Sequence, residues 1–213
     1  MKYKFICILL IVSVIFGCMK SQIKDSLKAH SRENQYTTAT ILPINLESIE
    51  FAECLQEELK DDFQYLKFVP GDKFREALFP WFEPNTAPQN IEELSDLLSK
   101  TLVQKRIESF GVELLIYVHG YTKDDLGAGV VPYFALVVGG TRETHIWTTL
   151  WDLKEIVLLG DTDISFEGKA GFVMTIIPPF VFLVPAYTES SACHETAKRI
   201  SNCLTGKVSP TDK

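Results

Sequence analysis

The sequence predicts an α+β fold, a mixed β-sheet with helices packed on it. Three observations lead there. The first half alternates short apolar runs of strand length, at 40–46 and 112–118, with an amphipathic stripe at Phe51, Leu55, Leu59 and Phe63. The second half carries strand-like segments at 141–150 and 156–166, joined by a short polar turn at 152–155. A closing helix then shows Cys193, Ala197, Ile200 and Leu204 on one face and stops at Gly206.

The chain opens on MKYKFICILLIVSVIFGC. Lys2 and Lys4 form a basic head, residues 5–16 are apolar apart from Ser13, and Gly17 precedes Cys18. A basic head, an apolar run of about 7–15 residues and a small residue at the cut describe a secretory signal peptide. The run is shorter than the ~20 apolar residues that cross a bilayer as a helix. With Cys18 straight after Gly17, the stretch resembles a bacterial lipoprotein signal, which implies that Cys18 becomes the lipidated first residue of the mature protein. Bulky Phe16 departs from the usual small residue; the alternative is an ordinary signal peptide whose cysteine is incidental. Met19 follows Cys18 where Asp would resemble an inner-membrane retention signal, which points to the periplasmic face of the outer membrane. The expected organisation is a signal peptide over 1–17, a lipidated cysteine and polar tether over 18–36, one globular domain over 37–206 and a frayed tail over 207–213.

The formal net charge of −7 argues against nucleic acid as a partner, because phosphate binding needs clustered Lys and Arg. A composition of 46% hydrophobic and 11% aromatic residues is that of a chain with a sizeable core. Cys7 leaves with the signal and Cys18 goes to lipid, so Cys54, Cys193 and Cys203 remain. Cys193 and Cys203 share one expected helix, with ~15 Å of rise between them. That is beyond the ~7 Å a disulfide spans, so they do not pair with each other. Cys54 can pair with either, or all three are small buried hydrophobes. No Cys/His spacing indicates a metal, and no cofactor is expected.

In the 40–46 run, Pro43 lacks an N–H and is expected at a sheet edge or bulge. Ser48 is placed to cap the helix that follows. A second strand at 65–69 stops at Pro70-Gly71, and Asp72 caps a brief helix through Phe74 and Leu78. Residues 79–88 form an aromatic, proline-rich loop whose Phe79, Trp81 and Phe82 either pack on the domain or face a partner. Asn90 and Glu93 have capping-box spacing, opening one long helix through Ile91, Leu94, Leu98, Leu102, Ile107 and Phe110 that Gly111 ends. The 112–118 run is continuous enough for a central strand covered on both faces. Residues 123–125 read as a turn. Beyond it lie two apolar stretches, VVPYFALVV at 130–138 and GKAGFVMTIIPPFVFLVP at 168–185.

Several segments resemble a periplasmic domain shared by the curli-secretion lipoprotein CsgG, the penicillin-binding-protein activator LpoB and the N-terminal domain of TolB. Thr40-Ile-Leu-Pro-Ile resembles the opening strand "VAVLPF", and Phe68-Val-Pro with Phe74-Arg-Glu-Ala-Leu resembles the second strand and its helix. Gly111-Val-Glu-Leu-Leu-Ile resembles "GADYLL", and Leu150-Trp-Asp-Leu resembles the strand end "LVDVETG". The likeness spans about residues 38–205 and implies partners in secretion, efflux or wall synthesis, with self-association left open. A CsgG-type pore needs strands of about 9–11 residues that alternate apolar and polar side chains. Neither apolar stretch alternates, which argues against a pore.

Nucleophile-elbow, zinc-protease, P-loop and complete dinucleotide motifs are absent from the sequence. Asp161 and Asp163 share one strand face by the period of two, and His145 could oppose Asp161 across the hairpin. These three residues are the candidates for an envelope hydrolase. The alternative for each is a structural or solvated side chain. Apolar patches on a domain mark protein or membrane contacts when exposed, which makes Phe172, Ile176, Ile177, Phe180, Phe182, Trp81 and Phe82 the candidate interaction residues; the alternative is that both apolar stretches fold against the sheet as core strands. The expected function is non-enzymatic: an envelope lipoprotein that binds or assists a partner protein.

Overall fold

The computed structural model describes residues 20–27, 36–83, 86–131, 135–176, 179–184 and 186–207. Residues 1–17, read above as a signal peptide, together with Cys18, Ile177 and the residues beyond 207, lie outside the described residues. In chain order the elements are β1 (Lys20–Asp25), β2 (Thr38–Pro43), a 3-10 turn (Leu46–Ser48), α1 (Ile49–Asp62), β3 (Lys67–Val69) and α2 (Gly71–Ala77). Next come α3 (Ile91–Leu98), α4 (Thr101–Phe110), β4 (Leu114–Val131), β5 (Ala135–Asp152), β6 (Val157–Ile176), β7 (Pro179–Val184) and α5 (Thr188–Leu204).

The strands form one mixed sheet in the order β1-β6-β5-β4-β2-β3, with β7 also paired to β6. β2 runs parallel to both β3 and β4, whereas β6 and β7 are antiparallel. The links β4–β5 and β5–β6 are too short for a parallel crossover, so those neighbours are antiparallel hairpins. The chain is therefore α+β, as its pattern indicates. Among the described residues no helix is long and apolar enough to cross a membrane.

The chain forms two compact units. Among the described residues, one comprises 20–22, Thr122–His145 and Ser165–Ala192; the other comprises Ile23–Tyr121, Ile146–Ile164 and 193–207.

In the second unit Ala39–Leu42 and Leu114–Val118 are buried throughout, as parallel strands covered on both faces require. Leu42, Leu115 and Tyr117 pack with Phe74, Leu78, Phe82, Leu94, Leu98, Val103 and Ile107 from α2, the following loop, α3 and α4. Phe51, Leu55, Leu59 and Phe63 are all buried, as their four-residue spacing predicts. Gly111 ends α4 with φ 75°, a left-handed conformation that favours glycine. Asp152 Oδ1 accepts from the amides of Lys154 and Glu155, which makes the expected β5–β6 turn.

Several local expectations are overturned. Pro43 is not on an edge strand, since β2 lies between β3 and β4. Its ring nitrogen does no harm there. In a parallel ladder alternate residues face alternate neighbours, and Ile44 N–H donates to Val118 of β4, so Pro43 faces the other side. On that side β3 pairs only Thr38–Thr40, and Arg75 takes up the Pro43 carbonyl at 2.9 Å. Ser48 does not cap α1. Its hydroxyl donates to Asn45 Oδ1 and accepts from Gly120 N, while Asn45 Oδ1 also caps the 3-10 turn through Ser48 N. Nor does Asp72 cap α2, which Pro70 precedes without a side-chain cap.

The single helix expected after Asn90 is two. Asn90 caps α3 through the Glu93 amide, but the chain breaks at Ser99 and Lys100 before α4 begins. The break shifts the helical phase, so Leu102 is 57% exposed and Val103 is buried in its place. Residues 123–125 are not a turn but the middle of β4. Thr122 meets Thr144 at 3.2 Å and Asp124 meets Arg142 at 2.7 Å, so β5 partners hold this polar segment in the ladder. Within the stretch read as tether, Lys20–Asp25 is a strand beside β6. Ser26 N–H donates to the Asp161 carbonyl, and Gly160 (φ 150°) lets Leu27 approach where a Cβ would stand 2.7 Å from its Cα.

Candidate interaction surface

The first unit holds the outer parts of β4, β5 and β6 together with β7. These neighbours alternate in direction. The last residues of β4 and first of β5 therefore lie at the same end of the sheet as the last of β6 and first of β7. Residues 130–131 and 135–138 lie there, at the same end as 172–176 and 179–184. The described parts of the two apolar stretches, with residues 139–171 between them in the chain, are thus brought to one end.

The register of the second hairpin pairs Phe172 with Leu183, Val173 with Phe182, Met174 with Val181, Thr175 with Phe180 and Ile176 with Pro179. Paired residues share a face and faces alternate along a strand. One register face therefore holds Phe172, Met174, Ile176, Pro179, Val181 and Leu183, and the other Val173, Thr175, Phe180 and Phe182. Both are apolar but for Thr175. Pro179 sits at the first position of β7, where a missing N–H is tolerated.

Toward the other end of this unit the strands are polar. Arg142 bonds Asp124 through two nitrogens, at 2.7 and 2.9 Å, and its guanidinium lies 3.9 Å from Glu189. The Arg142 hydrogen bond holds the Asp124 carboxyl below its ordinary range and in turn raises Arg142. Thr144 joins Thr122 to the buried Thr188 at the start of α5, at 3.2 and 2.8 Å. This ion pair went unread in the sequence. The signal was available: Asp124 and Arg142 are symmetric about the link between β4 and β5, as are Thr122 and Thr144.

The hydrolase candidates find separate partners. His145 Nε2 lies 2.9 Å from Glu143 Oε1 on its own strand, in the first unit. Asp161 belongs to the second unit, where its carboxylate accepts from the Ser26 hydroxyl and its amide donates to Ser26 Oγ at 3.1 Å. Asp163 is half-buried two positions further on. Asp161 acts here in holding the end of β1 to the sheet. Among the described residues no group of three His, Cys, Asp or Glu side chains is arranged to hold a metal ion.

The aromatic loop divides. Phe82 is 2% exposed and packs against Phe74 and Tyr117, so it belongs to the core and is not presented to a protein partner. Trp81 is half-buried with Arg106 5.0 Å from its ring centroid. Phe79, the third aromatic of the loop, is 58% exposed. Cys54 pairs with Cys193, and Cys203 is buried outside that bond.

The sequence matches no family model and no curated protein. Among solved structures the chain is similar to the PelC dodecamer of Paraburkholderia phytofirmans, with 7% identity and a TM-score of 0.36, over 88% of this chain and 97% of that one. It is similar to lipoprotein GNA1162 of Neisseria meningitidis, with 12% identity and a TM-score of 0.34, over 78% of this chain and 99% of that one. A neuraminyllactose-binding hemagglutinin homolog from Helicobacter pylori is similar at 11% identity and a TM-score of 0.37, over 86% and 95% of the two chains.

Proposed function

We propose that this protein is a lipid-anchored module of the bacterial cell envelope that engages a partner protein through its two apolar hairpin ends and catalyses no reaction. The observation that carries the reading is the placement of 130–131 and 135–138 at the same end of the first unit as 172–176 and 179–184, with apolar residues on both register faces of the second hairpin. A ribbon apolar on both faces gains by being covered on both. The Cys54–Cys193 disulfide supports an oxidising, extracytoplasmic location. The signal sequence ending at Cys18 supplies the anchor, and Met19 favours the outer membrane on its periplasmic face. A role beside secretion, efflux or wall-synthesis machinery, as in the CsgG, LpoB and TolB N-terminal group, is the finer form of this reading.

The test is site-specific photocrosslinking in intact cells, with a photoreactive residue at Phe172, Phe180 or Phe182 and a control at Lys105 on the exposed side of α4. One partner band should recur from the hairpin positions and be absent from the control. Adducts to none, or the same adducts from all positions, would sink the proposal. The anchor is tested apart from it: Cys18→Ser should abolish fatty-acid labelling and leave the signal uncleaved.

A further inference from the structure

A pocket of about 530 Å³ opens in the second unit at the carboxyl ends of the parallel strands, within the range of small-molecule sites. Its position follows from the topology. The chain leaves β2 through α1 toward β3 on one side, then returns past β2 to β4 on the other. Such a reversal opens a crevice beyond the strand ends, where ligands of open parallel sheets bind.

Ile44, Ile49, Phe82, Ala87 and Tyr117 give it apolar walls. The polar contribution comes chiefly from Arg75, half-buried on α2 and reaching the Pro43 carbonyl through one nitrogen at 2.9 Å. A guanidinium has several further N–H donors, and among the described residues no carboxylate lies within ion-pair distance of Arg75. Asn45 lines the same wall, with its Oδ1 bonded to Ser48 and its amide N–H groups as donors. Tyr117 offers only its ring, because its hydroxyl donates to the Pro88 carbonyl at 2.6 Å. The acid at the rim, Glu47, is exposed, as is Leu46 beside it.

We infer that this pocket binds a small organic acid, its carboxylate held by Arg75 and Asn45 and its apolar body lying against Phe82, Ile44 and Ile49. Arg75 is positioned for that role by the Pro43 carbonyl, which fixes the guanidinium without neutralising it. The site belongs to the second unit and is independent of the hairpin contact proposed above.

The test is photolabelling of the full chain in its native membranes with 4-benzoylphenylacetate, with adducts mapped by mass spectrometry. Adducts should fall within 43–49 and 82–89. 3-Phenylpropionate should displace the label at about a tenfold lower concentration than 3-phenylpropanol, the worth of one charge-assisted hydrogen bond. In Arg75→Gln, which keeps a donor for Pro43, the acid and the alcohol should compete alike. Ala87→Trp, which fills the pocket from a different wall, should abolish labelling even if Arg75→Gln does not fold. Displacement by a peptide with a free C-terminal phenylalanine, and not by its amide, would identify a chain terminus as the source of the acid. Adducts elsewhere, equal competition by acid and alcohol in the parent chain, or undiminished labelling of Ala87→Trp would each overturn the inference.

Discussion

Cys54 on α1 and Cys193 near the start of α5 are joined by a disulfide that closes 139 residues of chain, with their Cα atoms 6.4 Å apart. It ties the closing helix to the first long one. A loop of this length, in the chain-entropy account, stabilises the native state by about 5 kcal/mol relative to the reduced chain. Urea unfolding with and without reductant should therefore differ by up to that amount, and Cys54→Ser should match the reduced parent. Coincident curves for oxidised and reduced protein would show that the bond is not formed.

Ser48 and Gly120 form a buried side-chain-to-backbone bond between the start of α1 and β4. The Gly120 amide donates to Ser48 Oγ at 3.0 Å, and Phe51 lies so close that a Cβ on Gly120 would stand 2.3 Å from its ring. Ser48→Ala leaves the amide without its acceptor and should cost about 1–3 kcal/mol in chemical denaturation. Gly120→Ala should be worse, because the ring must move. A loss below the error of the measurement for both variants would remove this contact from the account of stability.

Glu113 should make the protein acid-sensitive. Burial raises its pKa, but hydrogen bonds from Lys154 and from the amide and hydroxyl of Thr37 outweigh burial and hold it below the ordinary glutamate value. A lowered folded-state pKa means stability that is present above the unfolded value of about 4.3 and is lost as pH falls through the folded one. The advantage of the parent over Glu113→Gln should accordingly shrink between neutral pH and about pH 3. The group is substantially solvated, so the difference should stay below about 1 kcal/mol. A difference between the two proteins that does not change with pH would contradict the pairing.

Phe82 and Phe79 stand three residues apart and should behave oppositely. Phe82→Ala empties a buried site against Phe74 and Tyr117 and should cost about 3–5 kcal/mol by thermal or chemical unfolding. Phe79→Ala removes an exposed ring and should stay within about 0.5 kcal/mol. Equal costs would mean that the loop packs differently.

Much of the fold is legible in local patterns. The stripe from Phe51 to Phe63, the Asn90 cap, the glycine at 111 and the Asp152 turn each depend on residues within a few positions of one another. Periodicity and side-chain chemistry report those directly. The apolar character of 130–138 and 172–184 is equally plain in the sequence. Their placement at one sheet end is not, because it depends on the order and direction of four strands. The misread features share that cause. Residues 123–125 look like a turn until Arg142 and Thr144 are seen opposite them, and Pro43 looks like an edge residue until the short β3 leaves its ring side open.

By itself, then, the sequence determined the α+β class, the signal pattern ending at Cys18, the amphipathic elements and the two apolar stretches. All of these are written in neighbouring residues. Tertiary structure decided which cysteine Cys54 takes, that His145 and Asp161 bond to Glu143 and Ser26, and that Arg75 stands in a pocket with no carboxylate of the described residues within ion-pair distance. Each of those outcomes depends on which distant segments the sheet brings within a few ångströms. Local periodicity carries no record of that distance.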